Sequence, residues 1–237
     1  NTKGLPASEE IQVLTLLLDK IRTKKDNGLY CKLYSRIANN YLLAGNINKG
    51  YTYIDSATIF VDKTDNSAIK GLYYNVLGNY YNLKIDEENS HKYYYIAIDL
   101  YEKAGHKEEE MLAIFQNIAF TYIQKGDNDK LKTLIERFFP IVVKSNTTDG
   151  YTVYYRILAL YYNEKYKQEK SNSSLDSAII YDKRVISLFE NNKDLESYSN
   201  EIAYNYINLA NNSLEKENID YSYIDTLASK ALQLANK

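Results

Sequence analysis

One spaced pattern of aromatic and small residues recurs along this chain, and it restricts the possible folds more than any other feature. Tyr74, Leu77-Gly78 and Tyr81 form one copy. Tyr34, Ile37-Ala38, Tyr41 repeats the spacing, as do Phe115, Ile118-Ala119, Tyr122 and Tyr155, Leu158-Ala159, Tyr162. A weaker copy is Tyr206, Leu209-Ala210, with Ser213 in place of the last aromatic. The small residue falls at 38, 78, 119, 159 and 210, at intervals of 40, 41, 40 and 51. A fixed period in this range is the mark of a stacked repeat architecture.

The second half of each unit recurs as well. The sets are Gly50, Ile54, Ala57; Ser90, Tyr94, Ala97; Leu131, Ile135, Phe138; and Ser171, Leu175, Ala178. With a two-residue insertion the last unit supplies Ile224, Ala228, Ala231. Steps of four and three mark one face of a helix. Each unit therefore reads as two amphipathic helices joined by a short turn. "AGNIN" (44–48) and "KGDND" (125–129) supply a glycine to end one helix and an Asn or Asp to cap the next. A small residue at the crossing lets two helices approach closely, and the flanking rings fill the space between pairs. One pair cannot bury its apolar stripe alone, so neighbours must stack.

The chain is thus expected to be a single helical-repeat domain over 1–237, all-α, with no internal linker. A cap helix over 7–24 carries Ile11, Leu14, Leu18 and Ile21 at helical spacing, with Ser8 as its N-cap. The repeats run about 28–64, 67–105, 108–144, 150–190 and 194–236. "KSNTTDG" (144–150) and "ENNKD" (190–194) read as loops. The long last interval implies extended helices around 175–190 and 194–216. In the final helix Ile224, Ala228, Ala231 and Ala235 are expected to pack inward. Tyr223, Leu227 and Leu234 then make a second stripe, which predicts a continuing polypeptide or a homo-oligomer contact at that end.

The pattern resembles that of the tetratricopeptide repeat (TPR) family: a large aromatic, a Leu-Gly pair, a Tyr, then Ala and an aromatic in the second helix. The resemblance covers about residues 28–236. It implies a right-handed α–α superhelix, the TPR solenoid, with the first helix of each pair lining a concave groove. Two departures stand out. The unit is about forty residues rather than thirty-four, and the closing proline is missing, with Pro140 only near it. Tyr34, Tyr41, Tyr74, Tyr81, Tyr94, Tyr122, Tyr155, Tyr162 and Tyr206 occupy pattern positions and read as packing, since a tyrosine buries its ring while its hydroxyl reaches a wet rim. Tyr73 with Tyr80, and Tyr154 with Tyr161, lie on a neighbouring stripe that either packs between repeats or touches a ligand.

Composition narrows the function. The formal charge is −2 at pH 7, without the basic excess of a nucleic-acid face, so no direct nucleic-acid contact is expected. No run of about twenty apolar residues is present, so no membrane span is expected. The lone Cys31 excludes an internal disulfide framework and reads as a small buried residue. With 2 prolines and 9 glycines, breakers are scarce enough for long helices. His91 and His106 have no partner at metal-ligand spacing, no Gly-rich phosphate loop or nucleophile elbow occurs, and "KEEE" (107–110) is a solvated first turn. No catalytic constellation and no cofactor site is expected. The chain begins at Asn1 without a leader-like stretch, which suggests processing or excision from something longer.

What remains is surface for binding. In the family, the residue after the small one points into the groove; here those are Asn39, Asn79, Phe120, Leu160 and Asn211. Four earlier come Ser35, Asn75, Gln116, Arg156 and Ile207, and three later Leu42, Asn82, Ile123, Asn163 and Leu214. An asparagine offers a donor and an acceptor to an extended peptide backbone; the alternative is a merely solvated polar face. The family's carboxylate clamp also uses Lys and Arg along this row, and Ser35 and Phe120 stand where such charges would help. Four asparagine hydrogen bonds at about 1 kcal/mol each fall short of the roughly 8 kcal/mol that micromolar binding requires. Phe120, Ile123 and Leu160 are the candidate apolar floor.

The leading expectation is a scaffold that holds a peptide or protein segment. In style the chain resembles the TPR sensor regions of some bacterial regulators, which implies a cytoplasmic or periplasm-facing module of a larger protein. A Tyr- and Asn-lined pocket for a small molecule such as a sugar, in a binding protein or enzyme subunit, and a structural assembly subunit are the other classes.

Overall fold

The computed structural model describes residues 6–105, 107–191 and 199–236. Among them are eleven helices and no strand, so the fold is all-α and built of helical repeats. The chain divides into two compact units, residues 1–114 and 115–237. The first contains α1 (Ala7–Lys20), α2 (Asn27–Leu43), α3 (Ile47–Val61), α4 (Ser67–Leu83), α5 (Glu87–Ala104) and the start of α6 (Glu108–Lys125). The second contains the rest of α6, then α7 (Asn128–Ser145), α8 (Thr148–Glu169), α9 (Asn172–Glu190), α10 (Ser199–Leu214) and α11 (Tyr221–Ala235).

In the first unit α2 packs on α3, and α4 on α5, as hairpins with very short turns. The turn chemistry is the same each time. Asn46 accepts a hydrogen bond from the Lys49 N–H at 3.2 Å and Asp86 one from the Asn89 N–H at 3.2 Å. The residue ahead of each cap is left-handed, Gly45 at φ +75° and Ile85 at φ +59°. Glycine adopts that conformation freely, whereas a β-branched residue is strained in it. At the crossing of α4 and α5 a Cβ on Gly78 would lie 2.5 Å from Tyr94 Cδ1. Only a glycine admits the Tyr94 ring, which is 1% exposed. In the neighbouring pair Ala38 and Ile54 share a core cluster with Cys31, Tyr73 and Val76.

In the second unit Phe115 stacks on Phe138, with centroids 4.7 Å apart, and so joins α6 to α7. Helix α8 pairs with α9 and α10 with α11. Val185, Ile186, Phe189, Ile202, Tyr206 and Leu209 are among the buried residues that fill the core between α9, α10 and α11. Gly126 (φ +65°) precedes Asp127, which caps α7, and Lys170 (φ +54°) precedes α9.

Several local expectations are corrected. Pro6, not Ser8, is the N-cap of α1; Ser8 lies in the first turn. The loop at 144–150 shrinks to Asn146 and Thr147, because Asn146 turns left-handed at φ +46° and Thr147 caps α8 by accepting from the Gly150 N–H at 3.1 Å. Pro140 lies inside α7 rather than closing a repeat. The extra length before residue 210 follows Ala178: α9 runs on to Glu190, as expected, whereas α10, at 16 residues, is not extended. Most of the loop at 190–194 and the start of the fifth repeat, like His106, lie outside the described residues.

The final helix is also rotated from its expected setting. Leu227 (3% exposed) and Ala231 (4%) face the core, with Tyr223, Ile224 and Leu234 packed against it, while Ala228 and Ala235 are exposed. Burying a leucine removes more apolar surface from water than burying an alanine, and that sets the rotation. The stripe Tyr223, Leu227, Leu234 is therefore inward, and Tyr221 and Leu232 are the exposed large residues of this helix.

Candidate functional site

A cleft of about 600 Å³ opens in the first unit over α2, with walls from α1, α4, α5 and the first turn of α6. Lys32, Arg36, Asn39, Asn40 and Leu43 form its α2 side. These positions follow helical spacing from Lys32, so one stripe of α2 faces the cleft. Asn66, Ala68, Ile69 and Leu72 come from α4 and its cap, Tyr101 from α5, and Lys107 and Glu110 from the third pair. Charges at the rim are mostly matched. Arg36 pairs with Glu10, and Lys107 with Glu110 at 2.9 Å. Lys32 is exposed and has no carboxylate partner among the described residues. Asn40 is 6% exposed, lines the cleft, and its side-chain amide makes no hydrogen bond to a described residue. Burial raises the Tyr101 hydroxyl above its ordinary range, Glu110 adds to the rise and Asn75 partly opposes it.

The expected groove residues divide between the units. Ser35, Asn39, Asn75, Asn79 and Asn82 belong to the first; Gln116, Phe120, Ile123, Arg156, Leu160, Asn163 and Asn211 belong to the second. Asn39 alone among them lines the cleft. Ser35 is 1% exposed and is removed from the surface set; its neighbour Arg36 occupies the cleft instead. Leu42 is likewise buried, and Leu43, 73% exposed, takes its place. The true stripe is displaced by one residue, a rotation of about 100° on a helix. Lys32, Arg36, Asn40 and Leu43 were missed for that reason, although their own spacing in the sequence is helical.

Asn79 is also occupied. Its Nδ2 donates to Asn39 Oδ1 at 3.0 Å, and its Oδ1 accepts from the Tyr94 hydroxyl at 2.8 Å. This chain of polar groups links α2, α4 and α5. Asn75 is half-buried and Asn82 exposed at the end of α4. In the second unit Gln116, Phe120, Ile123, Arg156, Leu160 and Asn163 are half-buried and Asn211 is exposed. The Arg156 guanidinium lies 5.9 Å from the Tyr204 ring centroid.

Other reactive groups are structural. Cys31 is fully buried, and desolvation pushes its thiol up to about 11, against a smaller opposing effect of Ser35. It stays protonated and unreactive near neutrality. His91 Nδ1 lies 3.9 Å from Glu87 Oε1 in the first turn of α5. Among the described residues no group of three His, Cys, Asp or Glu side chains is placed to hold a metal, and no helix is long and apolar enough to cross a membrane.

No family model matches the chain, and no curated protein matches it. Among solved structures it is similar to one described as BtubC (BKLC) from P. vanneervenii. The TM-score is 0.72 at 15% sequence identity, covering 97% of this chain and 88% of that one. At that identity the likeness speaks for the all-helical fold alone.

Proposed function

We propose that this chain is a tetratricopeptide-type scaffold, a module of a larger regulatory protein, that holds an extended peptide or protein segment in the cleft over α2. The observation that carries the reading is Asn40. Its amide keeps solvent contact in the cleft and makes no hydrogen bond to a described residue, so it offers a ligand both a donor and an acceptor. A peptide backbone matches both groups. Leu43 supplies exposed apolar surface beside it, and Lys32 supplies an unpaired charge that favours an acidic side chain. Each neutral hydrogen bond contributes only about 1 kcal/mol, so the apolar contacts with Leu43, Ile69 and Leu72 must carry much of the affinity.

Selection of binders from a displayed random-peptide library on the intact chain tests this reading. Selected peptides should be enriched in Asp or Glu and should bind Asn40→Ala and Lys32→Glu variants at least tenfold more weakly. Asn211→Ala, in the other unit, should leave their affinity unchanged. Peptides indifferent to both cleft substitutions, or a library without binders, would count against it. Asn79→Ala is a poor probe, since it removes the hydrogen bonds that Asn79 makes to Asn39 and to the Tyr94 hydroxyl and so disturbs the packing of α4.

A further inference from the structure

A second concavity, of about 480 Å³, lies in the other unit between α7, α8 and α9. Tyr154, Tyr155, Tyr161, Tyr162 and Tyr181 line it, with Phe139, Lys132, Lys165, Arg184 and Glu136. Tyr154 is 8% exposed and Tyr161 9%, yet none of the five hydroxyls is hydrogen-bonded to a described residue. Tyr155, Tyr162 and Tyr181 are only half-buried, and the five hydroxyls keep solvent contact at the concavity, where a ligand can take the place of water on them. Burial and the neighbouring tyrosines push Tyr154 up to about 12, so it remains a donor at neutral pH.

The repeat register shows how the pocket arises. Tyr73 in α4 corresponds to Tyr154 in α8, and its hydroxyl bonds Thr58 of α3 at 2.8 Å. The position of Thr58 is taken in α7 by Phe139, whose half-exposed ring lies 5.5 Å from Tyr154. Tyr80 corresponds to Tyr161. Its ring packs on Tyr51 at 5.0 Å, and the position of Tyr51 is taken in α7 by Lys132. Two replacements thus leave one hydroxyl without its protein partner and place a cation where the other tyrosine had a ring neighbour. Lys132, Lys165 and Arg184 bring positive charge to the site; Lys165 pairs with Glu169 at 3.8 Å, which leaves Lys132 and Arg184 against Glu136. Glu136 is highly exposed and reaches Lys132 only at 4.0 Å. Arg184 stands 5.4 Å from the Tyr155 ring centroid and 5.2 Å from that of Tyr181, with no carboxylate partner among the described residues.

We propose that this pocket binds a small acidic carbohydrate of the uronate class. Five hydroxyls and an unpaired guanidinium suit a ligand rich in acceptor oxygens that carries a carboxylate. The exposed face of Phe139 suits the apolar face of a pyranose ring, and the volume falls within the usual range for small-ligand sites. A bare inorganic anion would leave the ring and most of the space unused. The site lies within the second unit and does not depend on the peptide reading.

The test is calorimetric titration of the intact chain with digalacturonate, alongside maltose as a neutral sugar and sodium sulfate as a bare anion. Digalacturonate should bind at least tenfold more tightly than either. Arg184→Ala and Phe139→Ala should each weaken it at least tenfold. Lys132→Tyr, which restores the ring found in the first unit, should abolish it with the helical circular dichroism unchanged. Equal binding of maltose would overturn the recognition of charge. Equal binding of sulfate would reduce the pocket to an anion site and overturn the carbohydrate. No binding of digalacturonate at 10 mM (about a hundredfold above a 0.1 mM dissociation constant), or binding indifferent to Arg184→Ala, would overturn the proposal as a whole. If Lys132→Tyr fails to fold, the exposed Arg184→Ala variant decides.

Discussion

The α4–α5 and α8–α9 hairpins follow one register but solve the helix crossing differently. At the first, Gly78 faces Tyr94, whose hydroxyl continues into Asn79 and Asn39. At the second, the corresponding residues are Ala159 and Leu175, both buried. The other complete pairs, Ala38 with Ile54 and Ala119 with Ile135, follow the alanine solution. A large partner thus goes with glycine and a medium one with alanine, so the volume at the crossing is held nearly constant. Close packing requires this, because an interior with few voids tolerates exchanges only when their volumes compensate. The tyrosine faces differ in chemistry rather than volume: where α3 beside the first hairpin has Tyr51 and Thr58, α7 beside the second has Lys132 and Phe139, which line a concavity.

The largest expected effect breaks the glycine crossing. Gly78→Leu should lower stability by about 3 kcal/mol or more, because the added side chain meets the Tyr94 ring. The double variant Gly78→Ala, Tyr94→Leu imitates the second hairpin and should recover most of that loss. Urea denaturation of both measures it, and a wild-type midpoint for Gly78→Leu would mean that the crossing is not tight.

Asp182 sharpens the comparison in the second hairpin. It stands where the other pairs carry Val61, Tyr101 and Val142, and it is as buried as they are. Its carboxyl accepts from Asn212 Nδ2 at 2.7 Å. Desolvation still dominates and raises it to about 7. The folded chain therefore keeps a proton that the unfolded chain loses, and stability falls as pH rises from near 3.8 through about 7. Asp182→Asn removes that penalty while keeping an acceptor for Asn212. It should stabilise the chain by roughly 2 kcal/mol at pH 8 and leave it nearly unchanged at pH 3.5. Thermal melts across this range check the prediction, and a gain independent of pH would contradict it.

The smallest effect concerns the turns. Gly45, Ile85 and Gly126 occupy corresponding positions, all left-handed. Ile85 is 92% exposed and has little packing to lose. Ile85→Gly should therefore stabilise by about 1 kcal/mol, and a loss on denaturation would show that Ile85 makes a contact worth its strain.

Much of the scaffold was legible in the chain itself. Spaced small and aromatic residues, Asn and Asp caps and scarce breakers lead to helical hairpins because these signals act within one or two turns of the backbone. Even Asp182 stood out in principle, as an acid at an apolar register position. The candidate site was less legible. Asn39 was found, but Asn40, Arg36 and Leu43 were missed by a single residue, since the rotation of a helix is set by the partners it packs on. Leu227 shows the same limit at the far end, where its burial turned α11 away from the face that its alanines suggested. Tertiary structure alone decided which tyrosines find a partner. Tyr73 and Tyr154 are identical in type and register, and only the neighbouring helix determines that one hydroxyl meets Thr58 while the other is left open beside Phe139. The sequence by itself determined the helices and their order, which are local properties of the chain; packing against distant residues determined which faces they bury and which polar groups remain for a ligand.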